Sequence, residues 1–357
     1  MKKKVLVLDG NKKFFLGGGQ KVTLSVMEIL SEGYEITLFE TEKTDEFFRR
    51  AVHLNAQVFR LEENENKCGI KKFIKACQLM KKQDLNADET IIYSASKLSH
   101  LYCILFRLAG YRTIMHVHSV NSKSSPLFYL MKFSFFFSDE VIVTSEFVAK
   151  FFSLKKFTLL YNYVDIPRSS PAVIKKPFIV AYVGSVENFK GVDVFCKASL
   201  QFKNAENIEF AIFGKGSEEQ KIARDFPHIK MYGFIDNVQD ILSEKVSLLV
   251  LPTKIPEAFG LVLAEAVSCN VPVVVSDQGA QKEIASLFQT RGFFKNADAN
   301  SLSEEINYFL NEDHYRKQQK KLPEWKNYFS KELFKKNLLG LFNTHSYSQT
   351  PSRKSGR

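Results

Sequence analysis

At 357 residues the chain is longer than one ordinary hydrophobic core, and its 45% apolar content is enough for two domains. The net charge of +11 is spread over both halves without a nucleic-acid-binding motif, which argues against a nucleic-acid partner. No apolar run reaches the roughly 18 residues of a membrane span, and the five cysteines contain no CxxC pair. We therefore expect a cytoplasmic, reduced protein without a structural metal.

Strand and helix patterns alternate along residues 1–165. The predicted strands are KVLVLD, YEITLF, AQVFRL, TIIYS, YRTIMHVH, EVIVT and FTLLYN. The predicted helices cover residues 21–31, 70–82, 98–109, 126–137 and 146–153. This alternation predicts an α/β domain built on a parallel sheet.

A second alternating unit follows a linker. Residues 163–177 hold three prolines and no periodic pattern, which is typical of a linker. FIVAYVG then begins a new strand–helix alternation that continues to about Leu310. The predicted division is therefore a first domain at 1–165 and a second at 166–322.

Two segments follow the second domain. EWKNYFSKELFKKNLLGLF has helical spacing that places Trp325, Phe329, Leu333 and Leu338 near one stripe, so a helix is predicted over 323–343. The last residues, 344–357, are polar and lack apolar anchors, which predicts a disordered tail.

The most informative stretch is PEAFGLVLAEAVSCNVPVVVSDQGAQKE, residues 256–283. The apolar run 246–251 before it predicts a buried strand, and LVLAEAVSC predicts a helix that begins at Gly260. Free amides at a helix start favour a phosphate, and glycine permits a close approach. Because Glu257 beside an anion site is costly unless a cation or a sugar also binds, the pattern points to a nucleotide sugar.

Six segments together resemble one family. EAFGLVLAE resembles the E-x7-E motif of the retaining glycosyltransferases of the GT-B fold, family 4, also called glycosyl transferases group 1. Other segments resemble further motifs of that family, in the family's order: GGGQKV (17–22), HVHS (116–119), YVGSVENFKGVD (182–193), FGKGSEE (213–219) and GFIDN (233–237).

This resemblance implies a specific architecture. Two Rossmann-like, doubly wound parallel-sheet domains would face a cleft. The first domain would bind the acceptor and the second the nucleotide sugar. The C-terminal helix would cross back onto the first domain.

The resemblance also implies catalytic residues. Glu257 would face the positive charge that develops on the donor sugar, and His118 would contact that sugar. Lys190 would stabilise the leaving diphosphate. The alternative for Glu257 is a solvated loop acid, for His118 a core histidine and for Lys190 an exposed loop lysine. His116 is a second candidate for the histidine that contacts the sugar.

A set of donor-binding residues is implied as well. Glu265 would accept hydrogen bonds from the ribose hydroxyls, and the amides at the start of the predicted helix would contact the diphosphate or the sugar. The implied set is Gly17, Gly18, Ser185, Lys190, Gly260, Leu261, Val262 and Glu265.

Three positions depart from the family pattern. Ser185 stands where arginine is frequent, and Lys215 and Lys254 are the candidates that would compensate for this missing cation. Gln20 stands where an acid is common. Asn270 replaces a glycine at a helix C-terminus, where asparagine tolerates a left-handed conformation.

The implied activity is a retaining, metal-independent hexosyltransferase with no cofactor. It would move a sugar from a nucleotide sugar, above all a UDP-sugar, to a hydroxyl of a glycan or lipid-linked oligosaccharide in cell-surface polysaccharide synthesis. A sugar-nucleotide epimerase of the same architecture and a non-catalytic GT-B scaffold subunit are the alternatives.

Two features suggest an anionic membrane surface as a further partner. SPLFYLMKFSFFFSDE (125–140) is strongly apolar; a buried helix is the favoured interpretation and a membrane-docking face the alternative. Residues 312–357 hold 11 basic and 4 acidic residues, which suit either a solvated helix and tail or contact with anionic lipid. The expected location is cytoplasmic, or peripheral at the inner face of the cell membrane.

Overall fold

The computed structural model describes residues 3–9, 17–40, 45–60, 78, 85–120, 122–165, 167 and 174–343. Most of the predicted helix 70–82, the predicted tail 344–357 and part of the predicted linker 163–177 lie outside these residues. The predicted domain boundary at 165/166 therefore stays a prediction.

The first sheet is entirely parallel. Its strands are β1 (Lys4–Asp9), β2 (Glu35–Glu40), β3 (Gln57–Arg60), β4 (Thr90–Ser94), β5 (Arg112–Val117), β6 (Glu140–Val143) and β7 (Thr158–Leu159). Within the described residues they lie in the order β3-β2-β1-β4-β5-β6-β7. The accompanying helices are α1 (Gly18–Ser31), α2 (Asp45–His53), α3 (Lys97–Leu108), α4 (Pro126–Ser134) and α5 (Glu146–Phe152).

Helix α1 begins three residues earlier than predicted. The Gln20 side chain accepts a hydrogen bond from the Gly17 amide at 3.3 Å, and the Lys21 amide donates to the Gly17 carbonyl at 3.0 Å. Gly17 is thus the N-cap, and Gly18 and Gly19 are helical.

The second sheet is also parallel throughout. Its strands are β8 (Phe178–Val183), β9 (Ile208–Phe213), β10 (Lys230–Gly233), β11 (Leu248–Leu251), β12 (Val273–Ser276) and β13 (Phe293–Phe294). Their order in the described part of the chain is β10-β9-β8-β11-β12-β13. The helices are α6 (Val192–Ser199), α7 (Glu219–Asp225), α8 (Val238–Glu244), α9 (Leu261–Ser268), α10 (Gly279–Ala285), α11 (Ala299–Leu310) and α12 (Glu312–Gln319).

Strand β8 shows why these sheets are covered on both faces. Ile179, Ala181 and Val183 pack into the core on one side of the sheet, and the alternate residues pack into the core on the other side. Since neither face of the strand meets water, the sequence is continuously apolar. The two parallel sheets with helices on both faces confirm the predicted α/β architecture of two Rossmann-like domains.

The segment 323–343 is not the single helix that was predicted. It consists of a 3-10 turn (Leu322–Trp325), α13 (Lys326–Phe329) and α14 (Lys331–Asn343). Ser330 separates the last two with an extended backbone, ψ 145°.

This break divides the segment between the two domains. Trp325 and Phe329 pack into a core of the second sheet, whereas Phe334, Leu338 and Phe342 pack into a core of the first. The predicted stripe through Leu333 is wrong, because the turn at Ser330 rotates Phe334 inward instead. Only α14 therefore crosses back onto the first domain.

Candidate active site

An ion pair joins two predicted site residues at the carboxyl edge of the second sheet. Lys190 lies in the loop after β8 and Glu257 in the loop after β11, and these two strands are neighbours. The Lys190 Nζ lies 2.6 Å from the Glu257 Oε1, with the side chains 31% and 26% exposed. The loops meet because parallel neighbouring strands end at the same edge, where ligands of open α/β sheets bind.

Gly191 fixes the approach of these two loops. Its φ is +74°, and a Cβ at this position would lie 1.8 Å from the Pro252 carbonyl oxygen. No side chain fits there, so only glycine allows the Lys190 loop to pack directly against the loop that carries Glu257.

Glu257 also lies over the start of α9. Gly260 is the N-cap of this helix with φ +92°, and a Cβ there would lie 3.6 Å from the Glu257 Oε2. Leu261 and Val262 head the helix, where amides have no intrahelical acceptor. The site therefore combines a carboxylate, an ammonium group and helix-start amides, which suits a ligand with both a phosphate and hydroxyl groups.

Residues of the first domain reach the same helix start. A Cβ on Gly18 would lie 3.2 Å from the Leu261 Cδ1, and one on Gly19 would lie 3.4 Å from the His118 Cβ. The structure thus brings the α1 start, the end of β5 and the start of α9 together across the cleft. Gly17 caps α1 at this point.

His118 is the better placed of the two candidate histidines. Both of its ring nitrogens are buried and have no hydrogen-bond partner among the described residues. Burial lowers the pKa of His118 to about 3, so the imidazole is neutral near pH 7 and can both donate and accept a hydrogen bond.

His116 is a core residue. It is fully buried, and its Nδ1 lies 2.7 Å from the Tyr93 hydroxyl. Its ring lies against the His118 ring, with centroids 3.9 Å apart. His116 therefore packs behind His118, and His118 stays the predicted site histidine.

Glu265, on α9, lines a cavity of about 650 Å³. The cavity is lined by α1 and by the second domain, and Leu261, Glu265, Lys21, Ser25 and Asn237 are among its residues. Burial raises the pKa of the Glu265 carboxyl, while Lys21 opposes that shift. This volume is in the range of small-molecule sites, although neither Lys190 nor Glu257 lines it.

The two lysines considered as substitutes for an arginine at Ser185 differ in their surroundings. The Lys254 ammonium is held by Asp193 at 2.7 Å and by the Asn188 side chain at 2.9 Å. Lys215 is exposed and has no ion-pair partner among the residues described. Its carbonyl accepts a hydrogen bond from the Val186 amide at 3.0 Å, so it lies beside the exposed Ser185.

A group of residues for which the sequence predicted no role links the two domains. The Glu283 carboxylate on α10 accepts hydrogen bonds from the amides of Glu146 (2.8 Å) and Phe147 (2.6 Å) at the start of α5. It also accepts one from the Tyr161 hydroxyl at 3.1 Å.

A second set of bonds supports this link. The hydroxyls of Ser145 and Thr144 both donate to the Ala258 carbonyl, at 2.7 and 3.0 Å. Ala258 directly follows Glu257, so the first domain holds the backbone beside the candidate catalytic acid. The sequence carried only a weak signal here: TSE after a predicted strand is a helix-cap pattern.

No cluster of three or more His, Cys, Asp or Glu side chains in the described part of the chain is arranged to hold a metal ion.

The left-handed backbone conformation predicted for Asn270 is confirmed, with φ 60°.

The second domain matches a known family. The family described as "Glycosyl transferases group 1" matches residues 165–324. Lys190, Glu257, Gly260 and Glu265 all lie within the matched segment, and the Lys190–Glu257 pair is at its strand ends.

Solved structures share the whole fold. Anabaena Alr3699/HepE, crystallised with UDP and glucose, aligns with a TM-score of 0.80 at 15% identity over 96% of this chain and 100% of its own. Sucrose-phosphate synthase from Thermosynechococcus elongatus aligns with a TM-score of 0.77 at 17% identity over 96% and 98%. These likenesses establish the GT-B fold.

Curated relatives match over a shorter range. An uncharacterized glycosyltransferase of Methanocaldococcus jannaschii is 28% identical over 143 residues, which is 38% of this chain and 39% of that protein. An uncharacterized 42.6 kDa protein in the cps region of Klebsiella pneumoniae is 28% identical over 137 residues, or 38% and 36%. The match thus spans less than two-fifths of each relative.

Proposed function

We propose that this protein is a retaining, metal-independent glycosyltransferase. It transfers a hexose from a UDP-sugar to a hydroxyl of a glycan or lipid-linked oligosaccharide during cell-surface polysaccharide synthesis. The observation that carries this proposal is the Lys190–Glu257 pair at 2.6 Å, set over the start of α9 inside the segment that matches the glycosyl transferases group 1 family. The UDP and glucose bound to the Anabaena neighbour support the choice of donor.

Each site residue has a role in breaking the anomeric C–O bond. The bonding electrons leave with the diphosphate, and positive charge develops on the sugar ring. Lys190 and the amides of Leu261 and Val262 stabilise the departing charge, and Glu257 faces the ring. The acceptor oxygen then forms the new bond to the anomeric carbon on the same face, and its proton passes to the departing diphosphate oxygen.

The remaining residues position the donor. Neutral His118 hydrogen-bonds a sugar hydroxyl, and Glu265 accepts hydrogen bonds from the ribose. Gly17 and Gly18 let the first domain close against α9. Ser185 contributes one neutral hydrogen bond to the diphosphate.

The test is a panel of UDP-sugars with the purified full chain. We expect UDP release and transfer with at least one donor, unchanged by chelator, and a product that keeps the donor's anomeric configuration. Loss of activity in chelator would overturn metal independence, and the opposite anomer would overturn retention.

The same panel separates the alternatives. An epimeric nucleotide sugar formed from donor alone would identify an epimerase. A folded chain that binds none of the donors, judged by an unchanged melting temperature, would indicate a scaffold subunit.

A further inference from the structure

Two packed helices of the first domain present a large apolar surface to solvent. In the part of the chain that the structure describes, thirteen large apolar side chains are exposed, and seven of them belong to α3 and to α4 with the turn after it. These seven, which we call the α3–α4 face, are Leu98, Leu105, Leu108, Tyr129, Leu130, Phe133 and Phe136. This clustering of exposed apolar side chains is unusual, because such side chains are ordinarily scattered singly over a protein surface.

Packing within the domain accounts for only one side of α4. Phe128 and Met131 are buried in the core, so the favoured interpretation of a buried helix holds for this side only. Tyr129, Phe133 and Phe136 on the other side are 65%, 55% and 81% exposed. A helix that is apolar all round needs a second apolar environment in addition to the core.

The surrounding charge identifies that environment. Residues 90–138 contain five basic residues and no acidic residue. Arg107 pairs with Asp139 at 3.1 Å, and Arg112 donates to carbonyls of α14. Lys97, Lys123 and Lys132 complete the five.

Aromatic rings beside lysines suit the boundary between lipid headgroups and acyl chains. The Lys123 ammonium, in the loop before α4, lies 5.2 Å from the centroid of the Phe151 ring on α5. Anionic lipid headgroups attract the lysines while Phe133 and Phe136 enter the acyl region. None of the helices described here combines the length and apolarity needed to cross a bilayer.

We propose that the α3–α4 face docks the first domain on an anionic lipid bilayer. Helix α4 starts at Pro126, and the loop before it begins at His118 in the cleft. Docking on this face therefore holds the cleft close to the bilayer, where the headgroup of a lipid-linked acceptor lies. That last step rests on the proposed function, whereas lipid binding itself does not.

The test measures co-sedimentation of the full chain with vesicles. We expect binding to phosphatidylcholine vesicles that contain phosphatidylglycerol, weaker binding to phosphatidylcholine alone, and a decrease as salt is raised. Phe133→Ser/Phe136→Ser should reduce partitioning by about tenfold or more because it removes the inserting rings. Lys123→Glu/Lys132→Glu should reduce it similarly and abolish the salt dependence.

Matched controls separate this surface from general stickiness. Val52→Ser/Leu200→Ser removes two apolar side chains of 46% exposure elsewhere, and Lys203→Glu reverses an exposed charge of the second domain, outside residues 312–357. Both should partition like the unmodified chain, and circular dichroism should show every variant folded.

Three outcomes would overturn the proposal: no binding to anionic vesicles, equal binding by the Phe133→Ser/Phe136→Ser variant, or a solution dimer that this variant dissociates. The third would assign the face to a second copy of the chain. UDP binding, measured by calorimetry on the same variants, should not change. Failure of UDP binding alone would count against the proposed function and leave the lipid result standing.

Discussion

The Lys190 ammonium and the Glu257 carboxylate are ion-paired across 2.6 Å. The cation proposed to bind the diphosphate is thus held by the acid proposed to face the sugar. Both side chains are partly exposed, so the pair adds little to stability and its geometry matters chiefly for the site. A bound diphosphate would compete with Glu257 for Lys190.

This competition predicts different effects for the two residues. Lys190→Ala should weaken UDP binding by about tenfold or more, because a charge-assisted contact is lost. Glu257→Gln should lower kcat by about a hundredfold or more while UDP affinity stays equal or increases, because Lys190 is released from its partner. Calorimetry with UDP and steady-state kinetics check the two effects. Weaker UDP binding by Glu257→Gln would contradict this division of roles.

Lys215 is predicted to supply the cation that Ser185 lacks. It is exposed, and its backbone is hydrogen-bonded to the loop that holds Ser185. Lys215→Ala should therefore weaken UDP binding by about fivefold, as one exposed charge contact is worth about 1 kcal/mol.

A compensating variant sharpens that test. Ser185→Arg in the Lys215→Ala chain should restore UDP affinity, since a guanidinium would again face the diphosphate. Lys221→Ala, which removes a surface lysine from α7, is the matched control and should bind UDP normally. If the arginine fails to restore binding to a folded protein, Lys215 does not act on the diphosphate.

The contacts of Glu283 with the first domain predict a coupling between domain closure and turnover. Glu283→Gln removes a charged acceptor from three donors, so the domains should close less tightly and kcat should fall by about tenfold. UDP affinity should change little, because Lys190 and α9 are untouched. Small-angle scattering should show a larger radius of gyration.

Two further variants bracket this effect. Tyr161→Phe removes one of the three donors and should cause a smaller loss of kcat. Glu304→Gln alters an exposed glutamate of the same domain and should behave like the unmodified chain. A uniform loss of UDP binding in Glu283→Gln would indicate damage to the second domain instead.

The buried histidines predict acid sensitivity. Burial lowers the pKa of His118 and of His100 to about 3 from an ordinary value of 6.5. Between pH 3 and pH 6.5 the unfolded chain therefore binds more protons than the folded chain. The free energy of unfolding should decrease as the pH falls below about 6.5, by up to about 1.4 kcal/mol per pH unit for each histidine.

His118→Asn tests this linkage. The variant cannot take up that proton, so its melting temperature should fall less between pH 7 and pH 5 than that of the unmodified chain. An identical pH dependence would show that His118 titrates normally in the folded protein. Donor turnover measured alongside should fall, because the sugar contact is lost.

The local sequence was sufficient for the elements that hold the site. Continuous apolar runs such as β8 indicated strands buried on both faces, and Gly260 after such a run indicated a helix start. The placement of Lys190, Glu257 and Gly260 at one sheet edge followed from the rule that parallel strands end together. The prediction of one continuous helix over 323–343 was wrong at Ser330, because the apolar residues on either side of the break pack in different domains.

The sequence by itself determined the alternation of strands and helices, the two-domain plan and the residues that head α9, because these depend on neighbours a few positions away. Only the tertiary structure decided that Glu283 accepts from amides 136 and 137 positions distant, that His116 lies in the core, and which side of α4 meets solvent. Those outcomes depend on how separate elements pack together. The periodic pattern within one element does not specify which residues of other elements it will contact.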